Sequence, residues 1–137
     1  MTARFVDTNV LLYAISTDPH DVDKGKRARE LLDEADLALS TQVLQEFYVQ
    51  ATRATRADAL TPEQAGDLVE AFARFPVQDV TLAVVRGALT VQARHGLSHW
   101  DAAIIAAAQA LGCDTVLSVD LSHGQVYDGV RVVNPFM

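Results

Sequence analysis

The stretch Ala3-Arg4-Phe5-Val6-Asp7-Thr8-Asn9 indicates the fold class most clearly. Its first four residues predict a short buried strand that ends at Asp7, and residues 10–14 predict a helical turn. In parallel sheets, functional groups gather beyond the carboxyl ends of the strands, which is where this acid falls. The opening stretch therefore predicts an α/β fold with a polar site beside its first strand.

The rest of the chain continues to alternate short strands with helices. Further strands are predicted at residues 37–39, 76–80, 115–119 and 130–133. Helices are predicted at residues 26–35, 41–54, 61–75, 82–95 and 98–111. This alternation predicts a three-layer α/β sandwich, with a mostly parallel central sheet of four to five short strands flanked by helices. Residues 1–137 contain no repeat or linker and are expected to form a single domain.

The composition indicates a soluble cytoplasmic protein. Half of the 137 residues are hydrophobic, which excludes a disordered chain. The only cysteine, Cys113, cannot form an internal disulfide, so a reducing compartment is expected. The N-terminus lacks a long apolar stretch typical of a signal peptide, and the apolar block at residues 102–108 is too short to span a bilayer. We therefore expect no membrane association.

The net charge leaves the type of ligand open. Eleven basic and eighteen acidic residues give −7, whereas most domains that bind nucleic acid through a charged surface are basic. An acidic chain can still act on nucleic acid when its carboxylates hold cations, because the bound ion inverts the local charge.

Four acids are predicted to face one edge of the sheet. Asp7 follows the first predicted strand and Asp120 follows the fourth. Glu46 lies early in the helix after the second strand, and Asp101 lies near the start of the helix that leads to the fourth. Since the carboxyl ends of parallel strands share one edge, we expect these side chains to form a cluster.

Such a cluster points to a metal-dependent hydrolase. Crowded carboxylates repel one another unless a cation lies between them. Mg²⁺ and Mn²⁺ prefer oxygen ligands, and they activate water for attack on phosphodiesters. Asn9 and Ser118 are candidates to orient these ligands by hydrogen bonding. His99 and His123 lie beside the proposed ligands. They could transfer protons during the reaction, but the sequence favours a structural or substrate-facing role for both.

Each acid also has a purely structural explanation. Asp7 is suited to cap the helix that follows it, and Asp101 lies three residues after Ser98 in the pattern of a helix cap. Glu46 is the kind of acid usually found on a solvated helix face, and Asp120 the kind found in turns. Their convergence on one edge is what favours a functional site.

Four stretches resemble the PIN-domain family, and in particular its VapC toxins. Phe5-Val-Asp-Thr-Asn-Val-Leu-Leu-Tyr13 is similar to the opening motif of that family, and Ser98-His-Trp-Asp-Ala-Ala-Ile104 to its third acidic motif. Residues 117–136 look like the C-terminal part of VapC toxins, and Gln45-Glu46-Phe47 supplies the remaining acid. The resemblance extends over essentially the whole chain, with the motifs in the expected order.

The resemblance implies an endoribonuclease toxin of a type II toxin–antitoxin module. It implies that Mg²⁺ or Mn²⁺ is held by Asp7, Glu46, Asp101 and Asp120, and that the chain forms a homodimer. It also implies a VapB-like antitoxin that covers the site, with the apolar helices between residues 10 and 75 as its groove, although core packing explains those helices equally. Relatives often carry an acid where this chain has Val119, which leaves the fourth ligand and a second ion open.

Two other functions compete with this interpretation. Receiver domains and dehalogenase-like phosphatases also place an acid after the first strand, but they usually need a later lysine, and the lysines here are Lys24 and Lys26. The second alternative is a catalytically silent PIN-fold module that binds RNA or protein. Retention of four mutually repelling acids argues against it, and Val119 is the one feature in its favour.

Overall fold

A computed structural model describes residues 3–137 as alternating strands and helices. The strands are β1 (Arg4–Val6), β2 (Leu37–Ser40), β3 (Val77–Gln78), β4 (Thr115–Leu117), β5 (Val126–Tyr127) and β6 (Val130–Val133). The α-helices are α1 (Thr8–Ile15), α2 (Val22–Leu32), α3 (Thr41–Ala51), α4 (Pro62–Phe72), α5 (Leu82–His95) and α6 (His99–Ala110), and a 3-10 helix spans Pro19–Asp21. None of the helices within residues 3–137 is long and apolar enough to cross a membrane.

The strands form one mostly parallel sheet in the order β3-β2-β1-β4-β6-β5. Only β5 is antiparallel to its neighbour, β6. Phe5 of β1 is paired with Ala38 of β2 on one side and with Val116 of β4 on the other. Because these three strands run in the same direction, the residues that follow them meet at one edge of the sheet.

The helices cover the sheet as the apolar pattern predicts. α6 packs on β2, β4 and β6, and α5 packs against α6. Residues 102–108 of α6 are all buried, as expected for a helix covered on more than one side. α1 contacts α2 and α3, and α3 contacts α4. The predicted α/β class, with a mostly parallel central sheet flanked by helices, is confirmed, although six strands replace the expected four to five.

Helix ends follow local hydrogen bonding more closely than the apolar pattern. A capping box of Thr61 and Gln64 starts α4 at the predicted position, and the left-handed Gly96 ends α5 directly after the predicted last residue, His95. α2 begins at Val22, before the predicted residue 26, because the 3-10 helix capped by Asp18 leads directly into it. It also ends earlier, and Glu34 and Asp36 in the following turn pair with Arg4.

The C-terminal hairpin was not predicted as a strand pair. β5 and β6 are joined by Asp128 (φ 50°) and Gly129 (φ 88°), the left-handed conformations of a two-residue hairpin turn. β4 ends at Leu117, two residues earlier than predicted. Asp120 therefore lies three residues beyond the strand, in a loop, and does not follow it directly as expected.

Candidate active site

Asp7 lies at the centre of the predicted site, between the end of β1 and the start of α1. Its side chain caps α1 and is 5% exposed. The Thr8 backbone N–H donates to Oδ1 at 2.7 Å, and the Ser118 hydroxyl donates to Oδ2 at 2.7 Å. Asp7 is therefore a helix cap, as its structural explanation proposed. The cap uses only Oδ1, while Oδ2 accepts from Ser118, which directly follows β4.

The surroundings of Asp7 raise its pKa to about 6, from an ordinary value of 3.8. Burial is the largest cause, since it removes the carboxylate from water, and the hydrogen bonds from Ser118 and Thr8 oppose it. The negative charges of Asp120 and Glu46 raise the pKa further. Asp120 and Glu46 therefore lie close enough to Asp7 for their charges to act on its carboxyl group.

The loop after β4 is held against Asp7 by side chains that follow two neighbouring strands, β4 and β1. Ser118 is fully buried, and its Oγ accepts from the backbone N–H groups of Asp120 (3.2 Å) and Leu121 (3.4 Å). Asn9 Oδ1 accepts from the Val119 N–H at 3.2 Å, while Asn9 Nδ2 is buried and has no hydrogen-bond partner among residues 3–137. Asn9 and Ser118 thus position the loop that carries the exposed Asp120.

Glu46 is held on the other side of Asp7 by two donors. Thr8 Oγ1 donates to Glu46 Oε2 at 2.8 Å, and Gln42 Nε2 donates to Glu46 Oε1 at 2.9 Å. Thr8 follows Asp7, and Gln42 lies one turn before Glu46 on α3. These bonds fix the carboxylate of a half-buried acid, which is not the behaviour of a freely solvated helix residue.

Asp101 lies in the first turn of α6 and is half-buried. Its backbone N–H donates to the capping Ser98 Oγ at 3.2 Å, so the capping pattern in the sequence is genuine. Gln42 Nε2 also reaches the carbonyl of the preceding residue, Trp100, at 3.4 Å. This bond links the start of α6 to the side of the site that holds Glu46. Within the described residues 3–137, no hydrogen bond joins the Asp101 side chain to the other three acids.

Basic side chains do not neutralise the four predicted acids within residues 3–137. None of the seven ion pairs among the described residues involves Asp7, Glu46, Asp101 or Asp120. In the same part of the chain, no three His, Cys, Asp or Glu side chains already stand close enough together to hold a metal ion. The carboxylate donors and their unneutralised charge fit a hard divalent cation, which would draw these side chains together.

His99 and His123 make structural contacts. The His99 ring packs edge-on against Trp100, with 5.2 Å between ring centroids. His123 Nδ1 accepts from the Asn134 N–H at 3.0 Å, which ties the exposed β4–β5 loop to the C-terminal segment.

Two residues of this network were missed by the sequence analysis. Thr8 was quoted only as part of the opening stretch, and Gln42 was not singled out. The spacing of four residues between Gln42 and Glu46 on a helix is the signal that would have found Gln42. Thr8 could be recognised only from the approach of α1 to α3, which the sequence does not show.

Comparison with known proteins shows the family of this chain. The PIN domain family profile matches residues 4–128, which is most of the chain. The chain belongs to the PIN domain family. A comparison with curated proteins finds no match.

Solved structures of PIN proteins share the fold at low sequence identity. A toxin–antitoxin complex from Klebsiella pneumoniae has a chain that is 20% identical, with a TM-score of 0.69 and 98% of each chain covered. The DNA-bound VapBC of Salmonella typhimurium is 23% identical, with a TM-score of 0.65, and 96% of this PIN chain and 97% of that chain are covered. A sarcin–ricin-loop-cleaving VapC toxin from Mycobacterium tuberculosis is 20% identical, with a TM-score of 0.65. The match covers 86% of this chain and 90% of that chain.

Proposed function

We propose that this PIN-domain chain is a VapC-like toxin, an endoribonuclease that depends on Mg²⁺ or Mn²⁺. The observation that carries the proposal is the buried Asp7 carboxylate, whose pKa the charges of Asp120 and Glu46 raise and which pairs with no basic side chain among residues 3–137. A structural carboxylate in this position would be expected to pair with a base, since burying an unpaired charge is costly. The family and the identity of the acids support hydrolysis of a phosphodiester.

The proposed metal ligands are Asp7, Glu46, Asp101 and Asp120. A divalent ion held there supplies a lowered pKa for a bound water and stabilises the charge that develops on the phosphate. The protein's own contribution is orientation of the carboxylates. Hydrogen bonds fix Asp7 at both oxygens and Glu46 at both oxygens, so these two acids are aligned before substrate arrives.

Protonation of Asp7 is expected to control the activity. With a pKa of about 6, its carboxyl is ionised at neutral pH and becomes protonated as the pH falls through 6. A protonated carboxyl is a poor ligand for a hard cation, so activity should decline on the acidic side. Asp120 is exposed to solvent, and its charge acts on Asp7.

The proposed partners follow from the proteins that share the fold. Several of these structures are of toxin–antitoxin complexes, and one is of a toxin that cleaves the sarcin–ricin loop. By analogy, we expect an RNA substrate, a VapB-like antitoxin that blocks the acidic site, a homodimer, and action in the cytoplasm. Most apolar side chains of α1 to α4 pack into the core, so an antitoxin would use the few exposed ones, among them Val22, Tyr48 and Val49.

A catalytically silent module that binds RNA or protein is the second candidate. Val119 occupies a position next to Asp120 where relatives often carry an acid, and no group of three ligating side chains is preformed among residues 3–137. The two candidates differ in metal affinity. A ligand cluster should raise the melting temperature with Mn²⁺ by mass action, whereas a silent module should gain little.

Cleavage of a structured cellular RNA pool tests the proposal. Purified protein would be incubated with Mg²⁺, Mn²⁺ or EDTA, and its melting temperature recorded with and without Mn²⁺. Metal-dependent cuts, together with a higher melting temperature in Mn²⁺, would support the nuclease. No cuts and no metal effect on melting would favour the silent module, and cuts that persist in EDTA would overturn the metal-dependent mechanism.

A further inference from the structure

The side chain of Trp100 is left in solvent beside the proposed site. It is 66% exposed, although indole is among the side chains that gain most from burial. It immediately precedes Asp101 on α6. Its position is fixed by the edge-on contact with His99 and by the hydrogen bond from Gln42 to its carbonyl. The Trp100 ring is therefore open to a ligand beside the proposed site, and the backbone that carries it is held in place.

Trp100 forms one wall of a surface groove that leads to the acidic site. The groove, of about 360 Å³, is lined by Trp100, Val49, Gln42, Gln45 and Glu46. Val49 is 56% exposed, so the groove has two apolar residues open to solvent. Glu46 belongs both to this groove and to the network around Asp7, which makes the groove continuous with the site.

The side chains of the groove match an unpaired nucleobase. An indole face stacks on any base, and aromatic side chains are the usual platforms for unstacked RNA bases. The carboxamides of Gln42 and Gln45 offer donors and acceptors of the kind that base edges use. Lysine and arginine are absent from the lining, so the groove suits a base and not a phosphate.

We propose that Trp100 is a specificity residue that stacks an unpaired base of the RNA next to the phosphate that is cut. The proposal rests on the nuclease function proposed above, and it adds that the substrate must present a single-stranded or bulged nucleotide at the cleavage site. Duplex RNA keeps its bases stacked on one another and would not fill the groove.

The fluorescence of the protein tests this directly, because Trp100 is the only tryptophan. The full chain in Mg²⁺ and low salt would be titrated with an unlabelled, nuclease-resistant 2′-O-methyl single-stranded purine heptamer while the tryptophan emission is recorded. A fluorescein-labelled copy would report binding by anisotropy in a separate titration. Stacking should quench the tryptophan as the oligomer binds. The same oligomer with abasic riboses carries the same charge and should not quench. Equal quenching by both, no quenching at saturation, or no binding would overturn the proposal.

Two substitutions separate stacking from simple apolar contact. Because Trp100 is exposed, neither should impair folding, which circular dichroism would verify. We expect Trp100→Leu to weaken binding of the purine oligomer by about tenfold or more, and Trp100→Phe to retain most of the affinity. Equal RNA affinities of wild type and Trp100→Leu would overturn the proposal. If Trp100→Leu also changed the size-exclusion elution volume while RNA binding stayed the same, Trp100 would belong to a protein interface instead.

These measurements do not depend on cleavage. If RNA quenches the tryptophan and Trp100→Leu binds RNA more weakly, but the protein never cuts RNA, the stacking proposal would stand and the proposed nuclease function would be refuted. A chain that cuts RNA without either effect would refute the platform alone.

Discussion

The Ser118 hydroxyl donates a 2.7 Å hydrogen bond to Asp7 Oδ2, across 111 residues of sequence. This bond joins the ends of β4 and β1, the two central neighbours of the sheet. The same oxygen of Ser118 accepts from the Asp120 N–H, so one buried side chain sets the positions of two proposed ligands. The site is therefore assembled by the parallel pairing of β1 with β4, and Ser118 transmits that pairing to the acids.

Replacing Ser118 should shift the pH dependence of the enzyme. Because the Ser118 hydrogen bond lowers the pKa of Asp7, Ser118→Ala should raise that pKa further above 6. The acidic limb of the cleavage rate against pH should then move to higher pH. Loss of the bond should also reduce the free energy of unfolding by about 1–3 kcal/mol, measured by urea denaturation. Ser122→Ala, at an exposed position in the same loop, is the control and should change neither quantity.

The raised pKa of Asp7 should be visible in stability without any metal. Between about pH 4 and pH 6 the folded state binds a proton that the unfolded state has lost, so this group destabilises the protein as the pH rises through that window. The shift from 3.8 to about 6 corresponds to a cost on the order of 3 kcal/mol at neutral pH.

Asp7→Asn isolates that effect, since it keeps the shape and removes the charge. In EDTA at pH 7.5 we expect the variant to be more stable to urea than wild type, with the difference vanishing near pH 4. If the variant were less stable than wild type by the same amount at pH 7.5 and at pH 4, the buried charge of Asp7 would not be what destabilises the fold.

The hydroxyl of Thr8 should matter for activity more than for stability. It donates to Glu46 Oε2, and groups that orient a ligand typically contribute about 10- to 100-fold to metal affinity or activity. Thr8→Val keeps the shape of this buried side chain and removes the donor, so we expect at least a tenfold loss of metal-dependent cleavage. Thr8→Ser keeps the hydroxyl and should retain most of the activity. Equal rates in Val and Ser variants would contradict the proposed orientation of Glu46.

Two glycine substitutions should have opposite effects on stability. Gly129 has φ 88° in the β5–β6 turn, where an L side chain is strained, so Gly129→Ala should destabilise the protein by about 1 kcal/mol. Gly66 lies within α4 and an added Cβ would meet nothing within 4 Å, so Gly66→Ala should stabilise it by up to about 1 kcal/mol. Thermal unfolding of both variants measures these effects. A Gly129→Ala variant that is more stable than wild type would refute the left-handed conformation of Gly129.

The general architecture could be predicted because its signals are local. The buried strand before Asp7, the cap at Thr61 and the stop at Gly96 each depend on a few adjacent residues. The acids could be associated with one another because parallel strands end at a common edge, a general property of such sheets. Glu46 and Asp120 lie close enough to Asp7 for their charges to raise its pKa, while the shared role of the four acids as ligands stays a prediction.

The contacts that the sequence could not provide are those between elements. The bonds from Thr8 and Gln42 to Glu46 depend on how α1 approaches α3, and two-residue β5 is too short to be recognised from a periodic pattern. β4 ends at Leu117, and beyond it the Ser118 hydroxyl turns to Asp7 while the Ser118 N–H donates to the Val133 carbonyl of β6 at 3.1 Å. These features arise from tertiary packing, which overrides local preference.

The most direct test of the nuclease site is the single-turnover rate of RNA cleavage in Mn²⁺ by wild type, Asp7→Asn and Asp67→Asn. Asp67 is an exposed acid on α4, so its substitution makes the same change in charge away from the site. We predict that Asp7→Asn lowers the rate by at least about 100-fold while Asp67→Asn leaves it unchanged. Cleavage by Asp7→Asn at the wild-type rate would show that the reaction occurs elsewhere and would contradict the proposed site.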